Sequence, residues 1–329
     1  MKFRTSGDLG DCVYKLGVIR RFAGGSHRLC LVDRNLVPPR TNLLTFRAEV
    51  IAPLIRAQPY IESCECSEEA VDLDLSHFRP HYSRSHSLMW SQFEYAKVRF
   101  PELQMDRGRE AWLSATPDLD YMGRVIIARS PRYNNAAMPW AEIVKKYGER
   151  ILFVGIDAEY HNFCSAYGNV ERLVLENYLK LAQVLMGAEL FIGNQSSPFA
   201  VAEGLKVRRI LEVCLSNCDC IYQGGDVQHV TDGTVKLPNL DGTEGFTELG
   251  NEIGDIDEHT VPRGGWQFPN LPPNNFFDLQ VIQIKRELGV THEEARRKLI
   301  EYSVKRLPDY FKKGSDGGYF KQALANSLL

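Results

Sequence analysis

The chain lacks a long apolar segment and a strong excess of one charge. No apolar run approaches the roughly 20 residues that a membrane-spanning helix needs, and the opening residues, MKFRTS, contain no apolar signal sequence. The 329 residues include 39 Lys and Arg against 42 Asp and Glu, a net charge of −3. This balance argues against a broad nucleic-acid surface, which would need a basic face. Together these absences predict a cytoplasmic protein without a membrane span.

Three common binding motifs are also missing. Neither a dinucleotide GxGxxG pattern nor a P-loop GK[ST] follows an apolar strand, which disfavours hydride transfer. The eight cysteines do not form the two spaced pairs of a typical zinc site. Cys214, Cys218 and Cys220, with His229 nearby, leave two interpretations, a structural zinc or ordinary reduced thiols, and the spacing favours thiols. We therefore expect neither a metal nor a bound cofactor.

Short apolar runs alternate with helical patterns, which is typical of a parallel sheet covered by helices. The pattern predicts two α/β halves, residues 1–122 and 123–270, and a helical tail, 271–329, whose last helix (319–328) crosses back to the first domain. Two such halves face each other across a central cleft at their strand ends. Residues 219–275, rich in Gly, Asp, Asn and Pro, predict loops with one or two hairpins. The predicted strands are 1–4, 28–32, 71–75, 124–128, 150–154, 170–175, 189–192 and 209–213.

The segment GAELFIGNQSSPFAVAEGL, residues 187–205, carries the strongest functional signal. It predicts a buried strand, a polar turn and a helix that begins at Pro198 with Ser197 as its N-cap. The start of such a helix presents backbone N–H groups and a partial positive charge to phosphate. The predicted donor-binding residues in this segment are Asn194, Gln195, Ser196, Ser197 and, as a ribose ligand, Glu203.

The turn after Ala128 is the second candidate. Arg129 and Arg132 have the fork geometry that neutralises phosphate oxygens, and Asn135 is a further candidate for the donor. The alternative is a solvated loop in which Tyr133 and Trp140 are packing residues.

The turn GDLGD and residues 77–86 complete the predicted site. Asp11, or else Asp8, is a candidate general base, because a carboxylate near an acceptor hydroxyl can take its proton. The alternative is a plain turn with an N-cap aspartate. Gly10, His81, Arg84 and His86 are candidates for acceptor binding, although loop histidines are usually surface or satisfied core residues.

Three of these motifs resemble the bacterial heptosyltransferases of glycosyltransferase family 9 and their phage and bacterial relatives. The segments are TSGDLGDCVYKLGVIRR, IARSPRYNNAAMPW and GAELFIGNQSSPFAVAEGL. The resemblance implies a GT-B fold, two Rossmann-like domains, and an inverting, metal-independent transfer in which Asp11 is the base. The chain departs from the family in having no Lys between Arg132 and Trp140 and in the turn 194–199, where the family has Asp-Thr-Gly followed by His. These departures argue against ADP-heptose as the donor.

The sequence thus predicts a glycosyltransferase that moves a sugar from a nucleoside-diphosphate sugar to an acceptor hydroxyl. The acceptor is left open among a saccharide, a lipid-linked glycan and a modified nucleobase. Two alternatives remain: a nucleotide-sugar binding module that has lost catalysis, and a transferase that acts on phage-type DNA bases.

Overall fold

The structure is a computed structural model that describes most of the first 240 residues. The described ranges are 1–33, 36, 48–81, 87–105, 108–214, 219–222, 224–231, 233–240, 289–291, 294 and 297.

The described residues form ten strands and seven α-helices. The strands are β1 (Lys2–Thr5), β2 (His27–Leu31), β3 (Ile61–Cys66), β4 (Leu73–Asp74), β5 (Val125–Ala128), β6 (Ile151–Phe153), β7 (Glu171–Arg172), β8 (Leu190–Asn194), β9 (Arg209–Glu212) and β10 (Val227–Val230). The helices are α1 (Leu9–Ile19), α2 (Ala48–Arg56), α3 (Leu88–Arg99), α4 (Trp140–Tyr147), α5 (Asp157–Tyr167), α6 (Tyr178–Gly187) and α7 (Ser197–Leu205).

The strands build two parallel sheets with the same internal order. The first sheet runs β3-β2-β1-β4, and the second runs β10-β9-β8-β5-β6-β7. In each half the first strand lies between the second and the fourth, so β1 pairs with β2 and β4, and β5 pairs with β6 and β8. The order reverses beside β1 and β5, and the crevice outside the carboxyl ends at such a reversal is where open α/β sheets bind ligands.

Burial explains why these short strands form. All residues of β5 and β8 are buried, as expected for central strands covered by helices on both faces. Gly193 is required in β8, because a Cβ there would lie 2.6 Å from the Ala128 carbonyl oxygen of β5.

The two halves share one apolar core. Helix α1 packs on α7, α2 packs on α6, and buried side chains of both sheets join one cluster. The connecting segment is fixed between them: the backbone N–H groups of Trp112 and Leu113 both donate to Gly204 O at 2.9 Å, and Trp112 Nε1 donates to Val13 O at 3.0 Å. A second cluster fills the far side of the second sheet around Trp140 and Phe163. The two halves are therefore in extensive contact through these helices and the connecting segment.

The predicted α/β architecture is confirmed as two parallel sheets, with local corrections. The sequence analysis missed β3 and β10, and β10 pairs in parallel with β9, so it is not an arm of a predicted hairpin. Helix α7 begins at Ser197 with Ser196 as its N-cap, one residue before the predicted start at Pro198.

The domain boundaries remain predictions, with β4 and β5 in different sheets on either side of residue 122. The crossing helix at 319–328 lies outside the described residues. In the described ranges, each helix is too short or too polar to traverse a lipid bilayer.

Candidate functional site

The reversal point of the first sheet is built by the turn after β1. Gly7 has φ 99°, a backbone conformation that favours glycine, and Asp8 is the N-cap of α1, although its side chain makes no capping hydrogen bond. Asp11 therefore lies in the first turn of the helix. It is 8% exposed.

Asp11 is held by groups from two other elements. The Arg79 guanidinium, in the short 3-10 turn Arg79–His81 after β4, donates to Asp11 Oδ2. Gln92 Nε2 of α3 donates to Asp11 O at 3.2 Å. Burial raises the pKa of Asp11 above its ordinary value, while the charges of Arg79 and Lys15 oppose that rise. A carboxylate of this kind suits proton acceptance, because its conjugate acid is less acidic than that of a solvated Asp.

Lys15 is a functional candidate that the sequence analysis did not identify. It lies one turn after Asp11, is 1% exposed, and its Nζ donates to Ser6 O at 2.8 Å and lies 5.3 Å from the Phe78 ring centroid. Burial lowers its pKa. The available signal was a lone lysine in an otherwise apolar helix.

Asn194 shapes the turn after β5. Its side chain is fully buried. Nδ2 donates to Ser130 O at 2.9 Å, to Arg132 O at 2.6 Å and to Asn134 Oδ1 at 3.0 Å, and Oδ1 accepts from Ser130 N at 3.1 Å. The side-chain amide of Asn194 is thus engaged by residues 130–134, and its contact with a donor stays a prediction.

Arg129 and Asn135 belong to a separate hydrogen-bond network around Glu212. The fully buried Glu212 carboxylate accepts from Arg129 Nε at 2.9 Å and Nη2 at 3.0 Å, from Asn135 N at 2.7 Å and from Trp140 Nε1 at 3.2 Å. The Asn135 amide donates to Thr231 O at 2.8 Å. These contacts tie the turn to β9, so both residues support the structure of the turn, and their contact with a diphosphate stays a prediction.

Glu203, the predicted ribose ligand, lies in a buried network of ion pairs. Its carboxylate accepts from Arg209 Nε at 2.6 Å and pairs with Lys206, and the Glu203 and Arg209 side chains are both 0% exposed. An acidic residue in an apolar helix can equally be predicted to form an ion pair in the core. Here Glu203 forms that pair with Arg209 of the same half.

The start of α7 offers fewer backbone donors than predicted. The Ser196 N–H donates to Asn194 O at 2.7 Å, and Pro198 has no N–H. Gln195 is 5% exposed, and its Oε1 accepts from Cys214 N at 2.8 Å. Ser196 and Ser197 are half-buried, and the Ser197 hydroxyl bonds the Tyr178 hydroxyl. The Ser196 hydroxyl also donates to Asn194 O at 3.2 Å, so both serine hydroxyls have a partner within the protein.

The two reversal points meet at one place. A Cβ on Gly10 of α1 would lie 3.6 Å from Ser197 Cα of α7, so the N-termini of helices from different sheets adjoin. Asp219, from the segment after β9, is close enough to Asp11 to affect its pKa, and its carbonyl accepts from Leu88 N at 2.7 Å. Arg132 is exposed in the facing turn. We define the site by this set: Asp11, Arg79, Lys15, Arg132, Tyr133, Ser196, Ser197 and Asp219.

Comparison with solved structures finds several glycosyltransferases to which this chain is similar. The E. coli heptosyltransferase WaaC with ADP aligns at a TM-score of 0.48 with 11% identity, over 71% of this chain and 94% of that one. A family 9 glycosyltransferase from Veillonella parvula aligns at 0.44 with 12% identity, over 70% and 86%. The dodecameric iron-containing heptosyltransferase TibC of E. coli, in complex with ADP-D-beta-D-heptose, aligns at 0.43 with 14% identity, over 92% and 77%.

These structures include the family that the three sequence motifs resemble. No protein-family model matches the chain, and no curated protein matches it.

The remaining predicted residues lie at the edge of the site or beyond the described ranges. The His81 ring packs 5.5 Å from the Tyr95 ring, and Arg84 and His86 are outside the described residues. Cys214 and Cys220 are buried free thiols, while Cys218 is not described. In the described part of the chain, no three His, Cys, Asp or Glu side chains are grouped to hold a metal ion.

Proposed function

We propose that the chain is a glycosyltransferase that moves a sugar from a nucleoside-diphosphate sugar to an acceptor hydroxyl. The observation that carries the proposal is the meeting of two sheet-reversal points. One brings Asp11, and the other brings the start of α7, with Gly10 against Ser197. Reversal points are where α/β proteins bind nucleotides, and a transfer reaction needs a base beside the group that is transferred.

In the proposed reaction, the acceptor hydroxyl loses its proton to the Asp11 carboxylate while its oxygen attacks the anomeric carbon. The bond from that carbon to the diphosphate oxygen breaks, and the bond to the acceptor oxygen forms on the opposite face, so the configuration inverts. Arg132 and the hydroxyls of Ser196 and Ser197 stabilise the departing diphosphate. Arg79 orients the Asp11 carboxylate. This scheme uses no metal ion.

The first experiment identifies the donor and then tests the base. Nucleoside diphosphates and their sugars are screened for thermal stabilisation, since a ligand at 100 times its dissociation constant adds about 2.7 kcal/mol. With the donor found, we expect Asp11→Asn to lower kcat by about a hundredfold or more and to leave the donor dissociation constant within about twofold.

Asp8→Asn is the matched control, because Asp8 lies at the same helix start and is the other candidate base. Normal turnover by Asp11→Asn, or equal losses in the two variants, would remove Asp11 from the mechanism.

A second candidate function is nucleotide or nucleotide-sugar binding without transfer. The Arg79–Asp11 ion pair favours it, because a carboxylate engaged by a guanidinium is a weaker base. Donor stabilisation without transfer or donor hydrolysis would support this alternative.

A further inference from the structure

Tyr133 has a strained backbone in the turn after β5. Its φ is 57°, the left-handed region, where a bulky residue is a genuine outlier and glycine is the ordinary choice. Strained residues persist only where their surroundings over-determine them, and they concentrate at functional sites. The question is therefore what holds Tyr133 there and what its side chain does.

The Asn194 amide holds the turn on both sides of Tyr133. It bonds the backbone of Ser130 and Arg132 before the tyrosine and the side chain of Asn134 after it. Asn134 Nδ2 also donates to Pro131 O at 3.1 Å. The conformation is thus imposed by a buried residue of β8, not by packing of the tyrosine ring.

The Tyr133 ring is not a core side chain. The two apolar clusters formed by the described residues do not include it, and it is only partly buried. One neighbour is identified: the Arg132 guanidinium carbon lies 5.5 Å from the ring centroid. The sequence analysis considered Tyr133 as a packing residue, and this placement argues against that interpretation.

The charges that act on the Tyr133 hydroxyl come from both halves. Burial raises the pKa of Tyr133, and Asp219, Cys220 and Asp11 add to the rise while Arg132 opposes it. The phenol is therefore protonated at neutral pH and can donate a hydrogen bond. A partly buried aromatic face with a polar tip, next to the Arg132 guanidinium, matches a sugar ring: polarised C–H groups pack on the negative ring face while hydroxyls bond the polar groups.

Resting on the proposed function, we infer that Tyr133 is the residue that contacts the transferred sugar, and that its strained backbone conformation aims the ring at the sugar. The two parts of the donor then have different ligands. Tyr133 contacts the sugar, while Arg132, Ser196 and Ser197 contact the diphosphate.

The test compares nucleotide sugars with the matching free diphosphates. The probes are UDP-glucose, GDP-mannose, ADP-glucose and dTDP-glucose against UDP, GDP, ADP and dTDP, with dissociation constants from titration. The variants are Tyr133→Gly and Tyr133→Asn, since both residue types accept a left-handed backbone, together with Tyr133→Phe, which removes only the hydroxyl.

For the sugar nucleotide that the wild type binds, we expect Tyr133→Gly and Tyr133→Asn to weaken binding by about tenfold. Affinity for the free diphosphate should stay within about twofold. The Tyr133→Phe variant should lose less than the other two, because the ring remains. Unliganded Tyr133→Gly should unfold at a temperature no lower than that of wild type, because glycine relieves the backbone strain.

Three results would overturn the inference. Equal weakening for sugar nucleotide and free diphosphate would mean that Tyr133 contacts the nucleotide or only supports the turn. A clear fall in the unfolding temperature of Tyr133→Gly would make the ring a packing element. A wild type that binds the free diphosphate alone also contradicts the inference, whereas a wild type that binds neither ligand refutes the proposed function itself.

Discussion

Two carboxylate–arginine pairs in this molecule use the same chemical groups in opposite surroundings. The Glu203 and Arg209 side chains are both 0% exposed, and Lys206 adds a second cation. In the first half, the Arg79 side chain is 34% exposed and that of Asp11 is 11% exposed. A molecule in solution can approach the Asp11–Arg79 pair and cannot reach the Glu203–Arg209 pair. We refer to Glu203, Arg209 and Lys206 as the closed network and to Asp11, Arg79 and Lys15 as the open network.

The difference in exposure between the two pairs comes from the partners of the two carboxylates. Both acids lie in α-helices that follow a central strand, so position in the fold does not distinguish them. Their partners do. Arg209 lies in β9, whose four residues are all buried, and it also donates to Gly224 O at 2.9 Å. Arg79 lies in a short turn at the sheet edge. The exposure of the cation therefore distinguishes the two acids.

The largest expected effect is on the closed network. Glu203→Gln leaves Arg209 as an uncompensated buried charge, which should lower the free energy of unfolding by about 3–5 kcal/mol. Urea unfolding followed by circular dichroism measures the loss, and the protein that remains folded should bind its donor normally.

Asp11→Asn is the matched control for that measurement. Arg79 can recover water when its partner is neutralised, so this variant should lose far less stability than Glu203→Gln. Similar losses in the two variants would contradict the division into a closed and an open network.

Apolar periodicity predicted most of the fold. Strands β5, β8 and β9 are short buried runs between helices, and such runs stand out in a sequence. The two missed strands carry a weaker signal. In β3, IESCEC, two of the six residues are buried, and β10, VQHV, has two polar residues among four. Tertiary pairing with a neighbouring strand, rather than hydrophobicity, stabilises these two.

The site itself stays a prediction, but the structure shows which of its turns adjoin. The turns after β5 and β8 adjoin because neighbouring parallel strands of one sheet end at the same edge. Strand β1 belongs to the other sheet, and the start of the helix that follows it lies against the start of α7. The roles of Asn194, Asn135 and Glu203 depended on partners that no local pattern identifies. Asn194 bonds a turn about 60 residues earlier, and Glu212, its counterpart on β9, was not considered at all. Polar residues at strand ends therefore predict a site and do not tell its ligands from its scaffold.

The pH dependence of stability sharpens the comparison, because His229 borders the closed network. Burial, with the charges of Arg209 and Lys206, lowers the pKa of His229 to about 3. The unfolded chain, with an ordinary pKa of about 6.5, binds a proton there that the folded chain does not. His229 therefore destabilises the fold as pH falls from about 6.5 toward 3, by about 1.4 kcal/mol per pH unit at most.

The measurement compares wild type with His229→Asn, which does not titrate. Free energies of unfolding between pH 7 and 4 should fall more steeply for wild type, and the difference between the two curves should grow as pH decreases. Parallel curves would show that His229 is protonated in the folded protein.

The smallest expected effect is a shift in the pH profile of kcat/KM when the open network is changed. The closed network should have no such influence on catalysis. Lys15→Met removes a buried cation near Asp11, so the pKa of Asp11 should rise and the base should be protonated up to a higher pH. The acid limb of the pH profile of kcat/KM should then move upward by about one unit.

Lys206→Met is the matched control: it removes a buried lysine from the closed network, lowers stability, and leaves the acid limb in place. A limb that moves equally in both variants would trace the effect to general destabilisation, and a limb that moves in neither would show that Lys15 does not set the protonation of the base.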